Sequence, residues 1–148
     1  MNNNRLLSTI VGLALVLLLL TACNSTPTLT ITVKGGTCTL DSPKTIPNGA
    51  FNLNFVSEDD GHKPHGFALV TLDAGKTLQD LVAWPSTDPP EWLTVLDAEE
   101  TEPGTYSEAY NLPKDFSVRY NGEPIYFVCF QSNPETKIGA VGPVEVSK

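Results

Sequence analysis

The segment 122–146 constrains the fold of this chain more than any other segment does. It contains a short apolar run, YFVCF at 126–130, then a polar stretch at 131–137 and a second apolar stretch at 138–146. A run of aromatic and β-branched residues that is too short for a helix predicts a strand buried on both faces. The segment therefore predicts a central strand, a loop over 131–137 and a closing strand.

The rest of the chain carries further signals of short strands. Three segments alternate apolar and polar residues, the two-residue period of a strand with one buried face. These segments are 29–33, 51–55 and 116–120, and 106–110 is expected to form an edge strand. The run 67–72 is apolar on both faces and predicts an interior strand. The segment 92–96 predicts a short strand. The acidic stretch 97–103 is expected to be solvated.

One short helix interrupts these strands. Thr77 and Asp80 have the spacing of a capping box, which predicts a helix over 78–83. Pro47-Asn48-Gly49 is a turn signal, because proline presets φ and Asn-Gly tolerates positive φ. Many short strands, frequent turns and one small helix predict an all-β fold, an antiparallel Greek-key β-sandwich or barrel. No repeat or second boundary is visible, so 29–148 is expected to form one domain.

The N-terminus predicts export and lipidation. The apolar run 10–20 suits a signal peptide and is too short to span a bilayer comfortably. It ends in Leu20-Thr21-Ala22-Cys23, which looks like a bacterial lipobox. We expect 1–22 to be a cleaved signal peptide, Cys23 to be lipidated and 23–28 to be a tether. An ordinary signal peptide is the alternative. The predicted location is the cell membrane or the outer membrane, lipid-anchored on the extracytoplasmic side.

Charge and motifs exclude several function classes. The formal net charge of −8 argues against nucleic-acid binding, which needs a basic patch. The chain has no Gly-x-Ser-x-Gly elbow, phosphate-binding glycine loop or His-Glu-x-x-His motif, so we expect no enzymatic activity. The expected partners are the membrane, through the lipid, and an unidentified protein or small-molecule ligand.

The order of these features resembles the cupredoxin family of small blue copper proteins. The chain has the turn Pro47-Asn48-Gly49, His65 opening a strand, a small helical insertion, Cys129 in the next apolar strand and the closing segment 141–146. The resemblance covers most of 28–147. It implies a cupredoxin-like β-sandwich and raises the question of copper.

The resemblance also implies a ligand set that this chain only partly has. A type 1 copper site takes two histidines, a cysteine thiolate and usually an axial methionine. His65 and Cys129 match two positions, but 131–137 has no histidine. When the closing strand is aligned with that of the cupredoxin family, Ala140 falls in the axial position. We therefore expect no type 1 copper and no cofactor. The alternative is a copper-binding or electron-transfer protein that uses His65 and Cys129, with His62 as a further candidate.

The cysteines suggest another role for Cys129. Two cysteines remain besides Cys23, and outside the cytoplasm such a pair suggests a disulfide. In the cupredoxin-like fold, the region of Cys38 can lie near the strand that carries Cys129. A bridge between them would close a loop of roughly 90 residues and stabilise the fold by about 4 kcal/mol. The alternative is two separate buried thiols.

Two further groups of residues have alternative interpretations. Glu58, Asp59, Asp60, His62 and His65 could form a surface Zn²⁺ or Cu²⁺ site or a solvated loop. Likewise, the two tryptophans and the nearby prolines could form an apolar docking patch or close the end of the barrel. These tryptophans are Trp84 and Trp92.

Overall fold

A computed structural model describes residues 25–41, 43–58, 65–86, 88–132 and 135–147. The predicted signal peptide, Cys23 and His62 lie outside these residues. No helix among the described residues is long and apolar enough to cross a membrane.

Nine strands form two sheets in this part of the chain. Their bounds are β1 Thr28–Lys34, β2 Thr37–Asp41, β3 Thr45–Pro47, β4 Ala50–Ser57, β5 His65–Leu72, β6 Leu93–Thr101, β7 Gly104–Asn111, β8 Ile125–Ser132 and β9 Glu135–Ser147. The four-stranded sheet has the order β2-β1-β4-β7, and the five-stranded sheet has the order β3-β9-β8-β5-β6. The interior position of β5 and the edge position of β7 confirm two of the predicted strand placements.

The core lies between the two sheets. Alternate residues of each strand face inward, because successive side chains of a strand point to opposite faces. Strand β1 buries Leu29, Ile31 and Val33, and four phenylalanines from both sheets fill the centre. These are Phe51, Phe55, Phe67 and Phe127. The predicted all-β Greek-key sandwich is confirmed.

Two strand pairs differ from the antiparallel prediction. β1 pairs with β4 in parallel, and β3 pairs with β9 in parallel. The chain leaves the four-stranded sheet after β2, runs through β3 in the other sheet and returns as β4. A strand that returns after such a crossover enters beside β1 in the same direction, which a hairpin cannot produce.

The predicted helix is present over Leu78–Ala83 and is named α1 here. Its capping box forms as expected: the Asp80 N–H donates to Thr77 Oγ1 at 3.4 Å, and the Thr77 N–H donates to Asp80 Oδ2 at 2.9 Å. The helix lies on the outer face of the five-stranded sheet. There Leu81 joins a second apolar cluster with Val70, Leu72 and Tyr126.

The prediction of a strand over 116–120 is wrong. This segment forms a second short helix, α2, over Phe116–Arg119. The Phe116 N–H donates to the Pro113 carbonyl at 2.8 Å, which starts a turn. Phe116 is buried in the core whereas Val118 is 81% exposed, so the two side chains do not share a buried strand face.

Strand β6 is longer than predicted. It extends through Thr101 and includes most of the acidic stretch that was expected to be solvated. Pairing with β5 explains this length, because the register continues from Leu72 and Leu93 to His65 and Thr101 with one bulge. As the edge strand, β6 can carry acidic side chains without burying their charges.

Candidate functional site

Cys129 lies at the centre of the fold. It is fully buried on the inner face of β8, opposite Phe67 on β5 and Gly139 on β9. Aromatic and β-branched neighbours hold β8 in the interior of the sheet, as the sequence predicts. The side chain of Cys129 therefore points toward the four-stranded sheet.

Cys129 forms a disulfide with Cys38. Their Cα atoms are 6.2 Å apart, and 91 positions separate them in sequence. Cys38 lies in β2 opposite Val33, so the bridge joins the edge of the four-stranded sheet to β8 of the other sheet. The predicted disulfide is confirmed, and the alternative of two separate buried thiols is wrong.

The bridge passes beside a position that carries no side chain. A Cβ added to Gly139 would lie 3.6 Å from Cys38 Cβ, which is ordinary van der Waals distance. Gly139 is the register partner of Cys129 on β9, so this position lies beside both cysteines of the bridge. A large side chain at this position would compete with Cys38 for space.

His65 is a buried residue at the start of β5. Its side chain is 3% exposed, and its Nδ1 lies 2.8 Å from Ser57 Oγ. The Thr101 hydroxyl donates to the His65 carbonyl at 3.1 Å. Both hydroxyl partners are themselves buried, which ties the histidine into the edge of the core.

The segment 131–137 is not the loop that the sequence predicts. β8 continues to Ser132 and β9 begins at Glu135, with Gln131 paired to Thr136 and Phe130 paired to Lys137. Only 133–134, which lie outside the described residues, separate the two strands. The described residues of this segment are therefore paired in the sheet and do not form a ligand loop.

These residues do not fit a type 1 copper centre. The Cys129 sulfur is bonded to Cys38, and no histidine follows residue 65. Ala140, in the expected axial position, joins the apolar cluster on the outer face, whereas Cys129 belongs to the inner core. Within the described residues, no three His, Cys, Asp or Glu side chains come together as a metal site would require. His62 lies outside these residues.

The predicted surface metal loop is described only in part. Glu58 forms an ion pair with Lys34 at 2.7 Å, and His65 turns into the core toward Ser57. Asp59 and Asp60 lie outside the described residues. The two members that the structure describes therefore have other partners.

The tryptophans lie over the outer face of the five-stranded sheet. Trp84 and Trp92 meet edge to face with their ring centroids 6.0 Å apart. The Trp84 Nε1–H donates to the Asp88 carbonyl at 2.9 Å, and Lys76 Nζ lies 5.1 Å from the Trp92 ring centroid. Trp92 packs against the outer cluster around Leu72. The two rings and α1 together cover part of this outer face.

Beside these rings, part of the outer face remains open as a cavity of about 190 Å³. Small side chains from β5, β6 and β8 line it, while Trp84 and two prolines of the segment after α1 provide further lining. The small side chains include Ala68, Val70, Val95, Ala98 and Val128. The sequence could not predict this cavity, because its lining comes from separate strands. The only signal was the run of tryptophans and prolines at 84–92.

Lys137 lies at the boundary between this cavity and α1. Its ammonium donates to the carbonyls of Leu81 at 3.0 Å and Val82 at 3.1 Å, and also to the Trp84 carbonyl. These carbonyls belong to the last turn and the end of α1, where the helix has no basic residue of its own. Burial lowers the pKa of the Lys137 ammonium. Lys137 supplies positive charge to the negative end of the helix dipole from a different element.

Two auracyanins are among the solved structures that resemble this chain. Na-dithionite-reduced auracyanin from the photosynthetic bacterium Roseiflexus castenholzii is 15% identical, with 84% of this chain and 100% of that chain covered at a TM-score of 0.39. Auracyanin B is 14% identical, with 84% and 93% covered at a TM-score of 0.37. No protein-family model and no curated protein matches the chain. The strand order and register described above define the β-sandwich independently of these two structures.

Proposed function

We propose that this chain is a lipid-anchored extracytoplasmic binding module, built on a cupredoxin-like β-sandwich that does not carry type 1 copper. The observation that carries the proposal is the Cys38–Cys129 disulfide, which uses the one sulfur that such a copper site would need. The module is non-enzymatic, and its ligand is a small molecule or a protein outside the cytoplasm.

The disulfide also supports the proposed location. Disulfides persist in oxidising compartments and are rare in the cytosol. The apolar run 10–20 and the tetrapeptide ending in Cys23 provide export and a lipid-bearing cysteine. Since β1 starts at Thr28, a short tether separates Cys23 from the first strand. The module therefore sits close to the membrane surface.

Copper binding is the alternative function, with His65, Cys129 and His62 as ligands. It would require reduction of the disulfide and a rearrangement of His65, whose Nδ1 is 2.8 Å from Ser57 Oγ. Both residues belong to the buried part of the sandwich, so exposing them to a metal would open the core. These contacts favour a structural role for both side chains.

A copper titration of the purified full-length chain tests the proposal. Adding Cu²⁺ should give neither the intense visible thiolate-to-copper band nor tight binding by calorimetry. Mass spectrometry after alkylation without reductant should find Cys38 and Cys129 unmodified, and both should be alkylated after reduction and unfolding. A strong blue band in the oxidised protein would overturn the proposal, and two free thiols would remove its main support.

Lipidation is tested with the Cys23→Ser variant. Cells fed an alkyne-tagged fatty acid should label the wild-type chain and not the variant, and the lipoprotein signal-peptidase inhibitor globomycin should cause the wild-type precursor to accumulate. Substituting Cys38 to serine is the matched control and should leave labelling intact. An unchanged precursor size under globomycin would argue for an ordinary signal peptide.

A further inference from the structure

We propose that the cavity on the outer face of the five-stranded sheet binds a small organic cation, an ammonium or guanidinium group on an apolar body about the size of one aromatic ring. The proposal rests on the binding role proposed above and specifies its ligand. Its test does not involve the copper titration, so the two proposals can fail separately.

The size and lining of the cavity set the apolar body. Its volume is about 190 Å³, and Val70, Val95 and Val128 bring methyl groups from three neighbouring strands. An apolar cavity of about 150 Å³ is enough to hold benzene. The space therefore suits one ring or a compact branched chain, and is too small for a large cofactor.

The cavity remains because α1 covers only part of the sheet. Leu81 and Trp92 cover the outer cluster around Leu72, whereas Val95 on the edge strand stays 43% exposed. Apolar surface that faces water gains roughly 25 cal/mol per Å² when a ligand covers it. A ligand can enter from the side of β6 without moving the helix.

Negative charge lies beside the opening. Asp88 and Glu135 are among the residues that line the cavity. A neighbouring depression shares Ala98, Phe130 and Glu135 with it and adds Glu100. Neither the Lys34–Glu58 nor the Arg119–Asp115 salt bridge involves these three carboxylates. The charge around an apolar space thus favours a ligand that carries a positive group.

Among the described residues that line the cavity, Lys137 is the only cation, and it cannot readily serve an anionic ligand. Lys137 has three donors, and it directs them to the carbonyls of Leu81, Val82 and Trp84. An anion would have to draw this ammonium away from the end of α1. The aromatic rings of Trp84 and Phe130 add a second preference, because the faces of such rings attract cations.

Three probes that share one phenethyl body separate charge from shape: phenethylammonium, 3-phenylpropionate and 2-phenylethanol. Each is titrated into the ¹⁵N-labelled full-length chain, and chemical shifts of the backbone amides of Val95 and Val128 and of the Trp84 indole N–H are followed. The cation should bind at least about ten-fold more tightly than the anion, with the alcohol between them. Equal affinities for cation and anion, or no shift with any probe, would overturn the proposal.

Variants locate the site. Val95→Trp should fill the cavity and weaken cation binding at least about ten-fold. The same substitution at Val118, an exposed valine on α2, is the matched control and should leave binding unchanged. The double substitution Glu100→Gln with Glu135→Gln should weaken the cation about five-fold and leave the alcohol unaffected. Cation binding that survives Val95→Trp would place it elsewhere and reject this site.

Discussion

The Nδ1 atom of His65 lies 2.8 Å from the Oγ atom of Ser57, with both side chains buried, and this contact joins the two sheets. Ser57 ends β4 in the four-stranded sheet, whereas His65 begins β5 in the five-stranded sheet. The pair closes the sandwich at the position where the chain passes from one sheet to the other. A histidine that the sequence offers as a copper ligand therefore has a structural partner.

Removing the serine hydroxyl should destabilise the sandwich. In Ser57→Ala the buried imidazole of His65 loses the hydroxyl at 2.8 Å, and leaving a buried polar group without its partner costs about 1–3 kcal/mol. The urea midpoint of unfolding should fall while the slope of the transition stays unchanged. Ser107→Ala is the control, because that exposed hydroxyl donates to the half-buried Asn54 side chain at 2.9 Å. It should cost under about 0.5 kcal/mol. Equal effects of the two substitutions would contradict the structural role of the pair.

Gly66 should tolerate no side chain. A Cβ at this position would lie 2.5 Å from the Glu99 carbonyl oxygen and 2.5 Å from the ring of Phe130, which lies directly over it. Gly66→Ala should cost about 1–3 kcal/mol in the free energy of unfolding, because backbone and ring must both shift. Gly139→Ala is the matched control, since its nearest contact would be at 3.6 Å. A thermal scan in which both variants melt together would contradict the overlap at Gly66.

Lys137 should stabilise α1 through its ammonium. Lys137→Met keeps the apolar stem and removes the donors to the carbonyls of Leu81, Val82 and Trp84. The free energy of unfolding should therefore fall by about 1–2 kcal/mol. Lys34→Met is the control, because its ion pair with Glu58 is at the surface and should be worth under about 1 kcal/mol. Amide exchange within Leu78–Ala83 should rise only in Lys137→Met. Unchanged exchange there would reject this capping role.

The capping box should make stability depend on acid pH. The Thr77 hydroxyl and N–H both donate to the Asp80 carboxylate, and these bonds hold the pKa of Asp80 below its ordinary value of 3.8. A lowered folded-state pKa contributes stability above the unfolded value, and this contribution is lost as the pH falls through the folded pKa. Asp80→Asn should therefore flatten the fall in the unfolding midpoint between about pH 5 and pH 2. Thr77→Val should flatten it in part, and an acid profile identical to wild type in both variants would contradict the prediction.

Local patterns predicted most of the strands and the helix α1. The alternation at 29–33 and 51–55 and the capping box at Thr77 and Asp80 depend on neighbouring residues, so they can be read directly. The same reasoning failed at 116–120, where alternation suggested a strand and the turn at Pro113 starts a helix instead. It also failed at 131–137, where a loop was predicted, because β9 pairs with β8 from Glu135 onward.

The candidate sites were less predictable than the elements. Histidine and methionine positions in the sequence argued against type 1 copper, and the count of cysteines suggested a bridge. The cavity beside Trp84 had no signal beyond its tryptophans and prolines, because residues of β5, β6 and β8 meet there. The use of Lys137 by α1 likewise joins positions that lie more than 50 apart in the chain.

The sequence by itself determined the all-β class, most strand positions, the interior place of β8 and the shortage of copper ligands, since these follow from composition and short-range periodicity. Only the tertiary structure decided the parallel pairs, the closure of the Cys38–Cys129 disulfide, the burial of His65 against Ser57 and the cavity on the outer face. The physical reason is that these features arise where distant strands are placed side by side, and the order of strands in a sheet is set by packing of the whole core.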